Sequence, residues 1–324
     1  MGAAMILCSI STRGRYRTTL PLTIQAVASQ TYVPDKLVIF DDNDEPEDLR
    51  EDPVYKNLFC ILNRKGIAWE WLFAGKKGQH HNHQIANTMG YEWVWRVDDD
   101  AIPEPTVLET LFSHTAPHVG AVGGEILMPG KTFDTTKSTG LLENIDTEPN
   151  IQWDTIEYVM DVDHLHCSFL YRAGVVDYNL ALSRVAHREE TMFTYSLKKR
   201  GYQVMVVPGA ITWHLKSDQG GIRSEKNPGM YAHDEEIFQN FLKFKDNTVV
   251  VLNGGMGDHI VFSKVLPEIQ NPAVFSCYPE IVPGGSIAEA QHLFGDIDGF
   301  SIYKKMHQWG WKNSLENAYR KMYL

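Results

Sequence analysis

Short apolar runs alternate with amphipathic stretches along the first two thirds of the chain. The runs Ala4–Ser11 and Asp35–Asp42 are almost continuously apolar, which is typical of strands buried on both faces. Between them, Leu20, Ile24 and Val27 share one face of a predicted helix that has a proline in its first turn. Further strands are predicted in YEWVWRVDDD, HVGAVGGEIL and YQVMVVPGA. This alternation predicts an α/β fold with a mixed, mostly parallel sheet flanked by helices.

The composition changes near residues 243–247, and a second pattern begins there. NTVVVLNGGMGDHIVFSKVLPEI predicts a strand, a glycine-rich turn and a helix. Short strands are predicted in PAVFSCY and FSIYK, and a closing helix in WKNSLENAYRKMYL. We therefore predict a large domain over residues 1–240 and a small α/β accessory domain over residues 247–324, a size that just suffices for independent folding.

Polar side chains follow three of the predicted strands. Thr12 and Arg13 follow the first strand, Asp41 and Asp42 the second, and the triplet 98–100 the third. In open α/β sheets, ligands bind beyond the carboxyl ends of the strands. The sequence therefore predicts a ligand site at this edge.

The net charge of −11 disfavours a broad surface for binding the phosphate backbone of nucleic acids. The four cysteines are widely spaced, which favours isolated thiols over a disulfide framework or a zinc site. No apolar run approaches the ~20 residues that span a bilayer. The start of the sequence lacks the basic region of a signal peptide. These features favour a cytoplasmic protein without a membrane span.

The acidic triplet Asp98–Asp100 has two interpretations. On an extended segment, Asp98 and Asp100 lie on one side while Asp99 points away, and two such carboxylates suit a divalent cation that also binds a substrate diphosphate. Alternatively, DDDAIPEP caps the start of a helix.

The order of four motifs resembles the family 2 glycosyltransferases, which have the GT-A fold. The motifs are ILCSISTRGRYRTTLPLTIQAVASQTYVPDKLVIFDDNDEP, VWRVDDDAIP, REETMFTYSLKKRGY and PGAITWH, and they span residues 5–214. The resemblance implies a metal-dependent, Asp-x-Asp type transferase that uses Mn²⁺ or Mg²⁺ and a nucleotide diphosphate sugar.

The resemblance also implies roles for single residues. Thr12 and Asp42 match positions that contact the nucleotide base, where a carboxylate suits uracil. Glu190 matches the general base, with Glu189 beside it. The implied metal ligands are Asp98, Asp100 and His214. The implied donor-nucleotide residues are Thr12, Arg13, Asp41, Asp42, Asp99 and Arg223.

Two departures from the family pattern leave roles open. The usual Glu-Asp pair is Glu189-Glu190 here, so either carboxylate is a candidate base. The usual Ala-Arg-Asn is replaced by GQHHNHQIAN, so Lys77, His80 or His81 is a candidate for the missing arginine. Without the resemblance, the two glutamates would be read as solvated helix charges and His214 as a core residue.

Two further segments are candidate binding regions. Residues 164–172 (HLHCSFLYR) match the acceptor-facing part of the fold. The long polar segment after His214 is either a lid that brings Arg223 and Lys226 to a diphosphate or a plain connector. GGMGDH weakly resembles the start of a heptosyltransferase-type domain. Because only half of such a domain is present, we expect no second active site, and a tight turn also explains the glycines.

The leading hypothesis is that the protein transfers a sugar from a nucleotide diphosphate sugar, in particular a UDP-sugar, to an acceptor hydroxyl, with inversion of configuration. The alternatives are a nucleotidyltransferase that makes sugar nucleotides and a non-catalytic module that binds sugars or nucleotides. The acceptor is left open among a saccharide, a protein, a small molecule, a lipid-linked sugar and a modified nucleobase in DNA.

Overall fold

The computed structural model describes residues 5–131, 138–217, 219–221, 224–294, 297–310 and 314–324. The chain divides into two compact units. The first comprises Met1–Asn179 with Ser183–Tyr231, and the second comprises Leu180–Leu182 with Ala232–Leu324. The predicted domain ranges, 1–240 and 247–324, stay a prediction. Within the described ranges, no helix is long and apolar enough to cross a membrane.

The described part of the first unit forms one nine-stranded sheet in the order β3-β2-β1-β4-β8-β6-β9-β5, with β7 paired to β9. Strands β3, β2, β1 and β4 are parallel, β8 runs antiparallel to both neighbours, and β6 is parallel to β9. This confirms the predicted mixed, mostly parallel sheet. The strands are β1 (Ile6–Thr12), β2 (Lys36–Asp41), β3 (Ala68–Phe73), β4 (Trp93–Val97), β5 (Ala101–Pro103), β6 (Val119–Leu127), β7 (Met160–Asp161), β8 (Ser168–Arg172) and β9 (Gln203–His214).

Helices flank this sheet. They are α1 (Leu20–Ala28), α2 (Pro53–Arg64), α3 (Gln79–Asn87), α4 (Val107–Ser113) and α5 (Glu189–Lys199). Helix α6 (Pro228–Lys243) comes next in the chain, and its residues from Ala232 onward belong to the second unit. In α1, the predicted face of Leu20, Ile24 and Val27 is fully buried. Successive residues of β1 enter different apolar clusters, because Ile6 and Cys8 belong to one and Leu7 to the other. The continuous apolar pattern of this strand thus reflects burial on both faces.

The acidic triplet is followed by a strand. Residues 101–103 form β5, which pairs antiparallel with β9 so that Ala101 lies opposite His214. Helix α4 begins only at Val107. The helix-cap interpretation of Asp98–Asp100 is therefore wrong, because pairing with β9 keeps the chain extended after the triplet. The same pairing brings the end of β9 to the end of β4.

The second unit contains a two-stranded parallel sheet of β10 (Thr248–Leu252) and β11 (Pro272–Ser276). Its helices are α7 (Met256–Val265), α8 (Ile287–Phe294), α9 (Ile302–Gln308) and α10 (Leu315–Tyr323). The strand predicted in FSIYK is wrong. Ser301 caps α9 by accepting a hydrogen bond from the Lys304 amide, and the apolar side chains of Ile302 and Met306 then lie one turn apart in the core.

The glycine-rich turn before α7 is closed by the helix itself. Asp258 accepts a hydrogen bond from the amide of Gly255 at 2.7 Å. A Cβ on Gly254 would lie 2.1 Å from Oδ2 of Asp258. Close packing of the turn on its capping carboxylate therefore accounts for a glycine at this position without a bound ligand.

Candidate functional site

A cleft of about 220 Å³ opens at the carboxyl ends of the parallel strands of the first unit. It lies where the polar residues after β1, β2 and β4 were predicted to meet. Most of the predicted site residues line it, namely Thr12, Arg13, Asp42, Asp98, Asp99, Asp100, Glu190 and His214.

Two of the predicted site residues do not line the cleft. The Asp41 carboxylate turns into the fold, where it accepts hydrogen bonds from Tyr16, from Asn43 at 2.8 Å and from Trp71 at 3.2 Å. Glu189 is almost fully buried, at 2% exposure. Arg223 lies outside the described residues.

The three carboxylates of the acidic triplet have different partners. Asp99 points into the turn after β1, where it accepts hydrogen bonds from Thr12 Oγ1 at 2.8 Å and from the Arg13 amide at 3.3 Å. Arg15 forms ion pairs with both Asp99 and Asp100, the latter at 3.0 Å. Asp100 also contacts Nε2 of His214 at 3.3 Å. Thus one buried guanidinium compensates two of the three carboxylates.

Among the described residues, Asp98, Cys167 and His214 form a group with the geometry of a metal site. Their candidate ligand atoms all lie within 4.8 Å of one another. The residues come from the end of β4, the residue before β8 and the end of β9, so the sheet topology assembles them. Burial raises the pKa of Asp98 to about 6, and the opposing charge of Arg96 only partly offsets it. A carboxylate and an imidazole with a thiol nearby fit a divalent cation, which would relieve this penalty.

Arg96 is the central residue that the sequence interpretation missed. It is fully buried in β4 and contacts Glu189 at 2.6 Å, Glu190 at 2.8 Å and Asp98 at 3.2 Å. The sequence carried a signal for it, since Arg96 is the only charged residue in the apolar run WVWRV. An arginine inside a buried strand requires carboxylate partners.

The two glutamates at the start of α5 have different environments. Burial raises the pKa of Glu189 to about 8, although Arg96 opposes the shift. Burial also acts to raise the pKa of Glu190, but Arg96 and His166 together lower it below its usual range. Glu190 accepts hydrogen bonds from the Cys167 amide at 3.0 Å and lines the cleft. Their interpretation as solvated helix charges is therefore wrong.

Asp42 sits at the entrance to α3. It accepts hydrogen bonds from the amides of Lys77 and Gly78, both at 3.0 Å. Gly78 has φ 97°, and a Cβ there would lie 2.8 Å from the carbonyl oxygen of Arg184. The three candidates to replace the family arginine lie near the start of this helix, with Lys77 just before it and His80 and His81 in its first turn. His80 is fully buried, and burial lowers the pKa of His81.

Basic side chains from several segments of the chain line the cleft. Arg13, Arg15, Arg184 and Lys216 all belong to its wall. The described residues of the segment after His214 lie against the turn after β1, because Arg15 donates to the carbonyls of Ser217 and Gln219 at 3.2 and 3.0 Å. The segment therefore contributes to the cleft wall, as a binding loop does.

Comparison with known proteins supplies independent findings. No model of a known protein family matches the chain. A curated relative, galactofuranosyltransferase GlfT1 of Mycolicibacterium smegmatis (strain ATCC 700084 / mc(2)155), is 31% identical over 118 residues. That match covers 35% of this chain and 36% of the relative, so it spans about a third of the relative's length.

Solved structures extend the likeness to the fold. GalNAc-T7 with UDP, GalNAc and Mn²⁺ superposes with a TM-score of 0.57 at 11% identity, covering 95% of this chain and 57% of that one. S. aureus TarS 1-349 in complex with UDP-GlcNAc superposes with a TM-score of 0.53 at 13% identity, covering 74% of this chain and 66% of that one. The first unit thus has the predicted GT-A-like fold.

Proposed function

We propose that the protein is a metal-dependent glycosyltransferase of the family 2, Asp-x-Asp type, which transfers a sugar from a UDP-sugar to an acceptor hydroxyl with inversion. One observation carries this proposal. A single cleft at the carboxyl ends of the parallel strands combines the Asp98–His214 pair, the carboxylate of Glu190 and a wall of basic side chains. Nucleotide-sugar chemistry needs a cation site, a base and positive charge in this kind of arrangement.

Asp98 and His214 would hold Mn²⁺ or Mg²⁺, with Cys167 next to them and Asp100 in contact with His214. When bound, the cation supplies positive charge that stabilises a leaving diphosphate. Arg13, Arg184 and Lys216 line the same cleft and add charge that attracts the two phosphates.

The nucleotide base would lie against Asp42 and Thr12. Each oxygen of Asp42 accepts one backbone amide, and a carboxylate oxygen has a second lone pair. A uracil ring N–H can donate to it. The same hydrogen bonds hold the carboxylate in place, which favours a specific contact with the base.

Glu190 would act as the general base. Its ionised carboxylate lines the cleft, so it is placed to accept the proton of the acceptor hydroxyl. The acceptor oxygen then forms a bond to the anomeric carbon while the bond from that carbon to the diphosphate breaks. A single displacement of this kind inverts the configuration. Glu189 instead stabilises the position of Arg96.

The relatives favour a UDP-sugar donor. The curated relative is a galactofuranosyltransferase, and the two solved structures contain UDP or UDP-GlcNAc. A cytoplasmic location and an acceptor hydroxyl on a saccharide, a protein, a small molecule or a modified nucleobase belong to the same proposal.

The test is a thermal-shift series with UDP, GDP, CDP and ADP, each with and without Mn²⁺. Ligands that bind the native state raise its melting temperature. We expect a Mn²⁺-dependent rise with UDP that is absent from Asp98→Asn and present in the control Asp246→Asn, which changes an exposed carboxylate of the second unit. No rise with any nucleotide would refute the proposal.

Turnover assays separate the alternatives. Release of UDP from a UDP-sugar supports the transferase. Pyrophosphate release from a nucleoside triphosphate and a sugar phosphate would instead favour the nucleotidyltransferase. UDP binding without turnover on any donor would favour the non-catalytic binding module.

A further inference from the structure

A second cavity, of about 70 Å³, lies beside the cleft within the first unit. We call it the side pocket, and its wall includes Leu141, Asn150, Trp153, His164 and His166. Trp153 and His166 line the cleft as well, so these two side chains stand between the cavities. The side pocket is therefore a neighbour of the proposed catalytic carboxylate.

Backbone hydrogen bonds hold the wall of the side pocket in place. The segment Thr139–Asn150 returns on itself, because the Thr139 amide donates to the Pro149 carbonyl and the Ile151 amide donates to the Thr139 carbonyl, both at 2.9 Å. Asp163 holds the segment from outside by accepting the Leu142 amide at 2.9 Å. Compact loops whose ends are joined in this way are frequently functional.

Two buried polar side chains in this wall have hydrogen-bonding atoms without a partner among the described residues. Nδ1 of His164, a residue only 2% exposed, is one of them. Nδ2 of Asn150, a residue only 5% exposed, is the other, although Oδ1 of the same side chain accepts the Gln152 amide at 2.8 Å. An unsatisfied buried polar atom costs about 1–3 kcal/mol. Both residues line the side pocket, so these atoms mark it as a polar cavity.

The chemistry of the wall favours a neutral ligand. Burial lowers the pKa of His164 to about 2, with help from His166 and Arg188, so this imidazole is uncharged. Among its described residues, the wall contains one cationic side chain, Arg188, and one anionic side chain, Glu148. Neither an anion nor a cation meets an excess of opposite charge in this wall.

The size and position of the side pocket suit part of a sugar. A site for one water needs about 10–15 Å³ of such volume, so the pocket accepts a hydroxymethyl group or a pair of neighbouring hydroxyls. Trp153 presents an aromatic ring of the kind that covers the C–H face of a pyranose or furanose. Nδ1 of His166 lies 3.2 Å from Oε2 of Glu190, which joins the pocket wall to the proposed base.

We propose that the side pocket binds hydroxyl groups of a neutral saccharide acceptor and thereby presents another of its hydroxyls to Glu190. The inference rests on the proposed glycosyl transfer and deepens it, because it selects a saccharide among the possible acceptors. The cavity beside the base and the two unpartnered polar atoms carry it.

Saturation-transfer NMR on the full chain tests this inference. The probes are the methyl glycosides of glucose and galactose, the disaccharide methyl β-lactoside, glucose 6-phosphate and a short DNA duplex. Asn150→Asp keeps the oxygen that accepts the Gln152 amide and removes the unpartnered donor. Leu141→Trp fills the pocket from a position that is 42% exposed, so the fold tolerates it. Asn63→Asp makes the same chemical change at an exposed helix position.

We expect at least one neutral glycoside to bind, with a Kd raised at least tenfold in Asn150→Asp, no binding in Leu141→Trp and no change in Asn63→Asp. The inference is overturned if no neutral glycoside binds, if the variants bind it as the wild type does, or if only the sugar phosphate or DNA binds. If the variants bind the glycoside as the wild type does, the cavity holds water alone.

UDP binding with Mn²⁺, measured by calorimetry on the same samples, separates this inference from the proposed function. If Leu141→Trp still binds UDP but no longer binds the glycoside, the result supports the side pocket as the saccharide site. Glycoside binding without any UDP binding would sustain the pocket and refute the proposed donor. UDP binding without any glycoside binding would support the proposed donor and refute the proposed saccharide site in the side pocket.

Discussion

Nη2 of Arg96 lies 2.8 Å from Oε1 of Glu190, and this contact joins the centre of the sheet to the start of α5. The same guanidinium contacts Glu189 and Asp98. Because burial raises the pKa of Glu189 to about 8, this positive charge faces two ionised carboxylates at neutral pH, and the excess negative charge lies at the cleft. A buried charge imbalance of this sign is stabilised by a cation.

Arg96→Met is expected to lower the free energy of unfolding by about 3–5 kcal/mol, because it leaves buried carboxylates without their partner. Urea unfolding at pH 7, followed by circular dichroism, measures the change. The control is Arg50→Met, whose exposed pair with Asp48 is screened by solvent, so its stability should stay close to that of the wild type. A loss below about 1 kcal/mol in Arg96→Met would contradict the assigned role of this ion pair.

Glu190→Gln and Glu189→Gln are expected to differ in kind. Loss of a general base reduces turnover by roughly 10²–10⁴-fold, so Glu190→Gln should show this reduction while its affinity for UDP stays close to that of the wild type. Burial keeps Glu189 largely protonated at pH 7, so Glu189→Gln should leave turnover close to that of the wild type and lower the stability less than Glu190→Gln, which removes an ionised partner of Arg96. Assays of UDP release measure the turnover of both variants, and urea unfolding measures their stability. The reverse pattern would assign the base to Glu189.

His164 should make the stability depend on pH. Burial lowers its pKa in the folded state to about 2, so below pH 6.5 the unfolded chain binds a proton that the folded chain does not. The contribution is fully present above pH 6.5 and is lost as the pH falls, by up to about 1.4 kcal/mol per unit. His164→Gln should therefore flatten the dependence between pH 6.5 and 5.

Urea unfolding across that pH range measures the slope. The control is His292→Gln, which changes a histidine side chain that is 74% exposed. Equal slopes for the wild type and His164→Gln would show that His164 becomes protonated in the folded protein.

Gly124→Ala is expected to destabilise the sheet. The residue lies at a register shift between β6 and β9, and an added Cβ would lie 2.0 Å from the carbonyl oxygen of Ala210. Forcing a methyl group into such a space typically costs about 1–3 kcal/mol. Gly257→Ala is the control, since its Cβ would meet no atom within 4 Å. Thermal unfolding of both variants gives the comparison, and equal melting temperatures would refute the expected clash.

The apolar pattern was a good guide where both faces of an element are buried. It predicted β1, β2 and the buried face of α1, because continuous or periodic apolar residues leave few other arrangements. Trp213 in β9 shows the limit of this guide, because its side chain is 37% exposed and donates to Glu104 at 3.0 Å. The pattern also missed α9, because a short apolar run fits a strand and a buried helical turn equally well.

The candidate site was predictable only in part. Polar residues after strands pointed to the edge at which the cleft lies, since parallel strands place their carboxyl ends together. The partners of each carboxylate were not predictable. Asp99 and Asp100 share Arg15, and Asp98 is grouped with Cys167 and His214, because the order of strands and the pairing of β5 with β9 decide which side chains meet.

The sequence by itself determined the class of fold, the edge at which the cleft forms and the residue types available for chemistry. These depend on local apolar periodicity and on the direction of the chain. Only the tertiary structure decided which glutamate faces the cleft, which arginine neutralises it and where a second pocket adjoins it. Those features depend on contacts between residues up to about two hundred positions apart, such as Arg15 with Ser217, and such contacts leave no periodic trace in the chain.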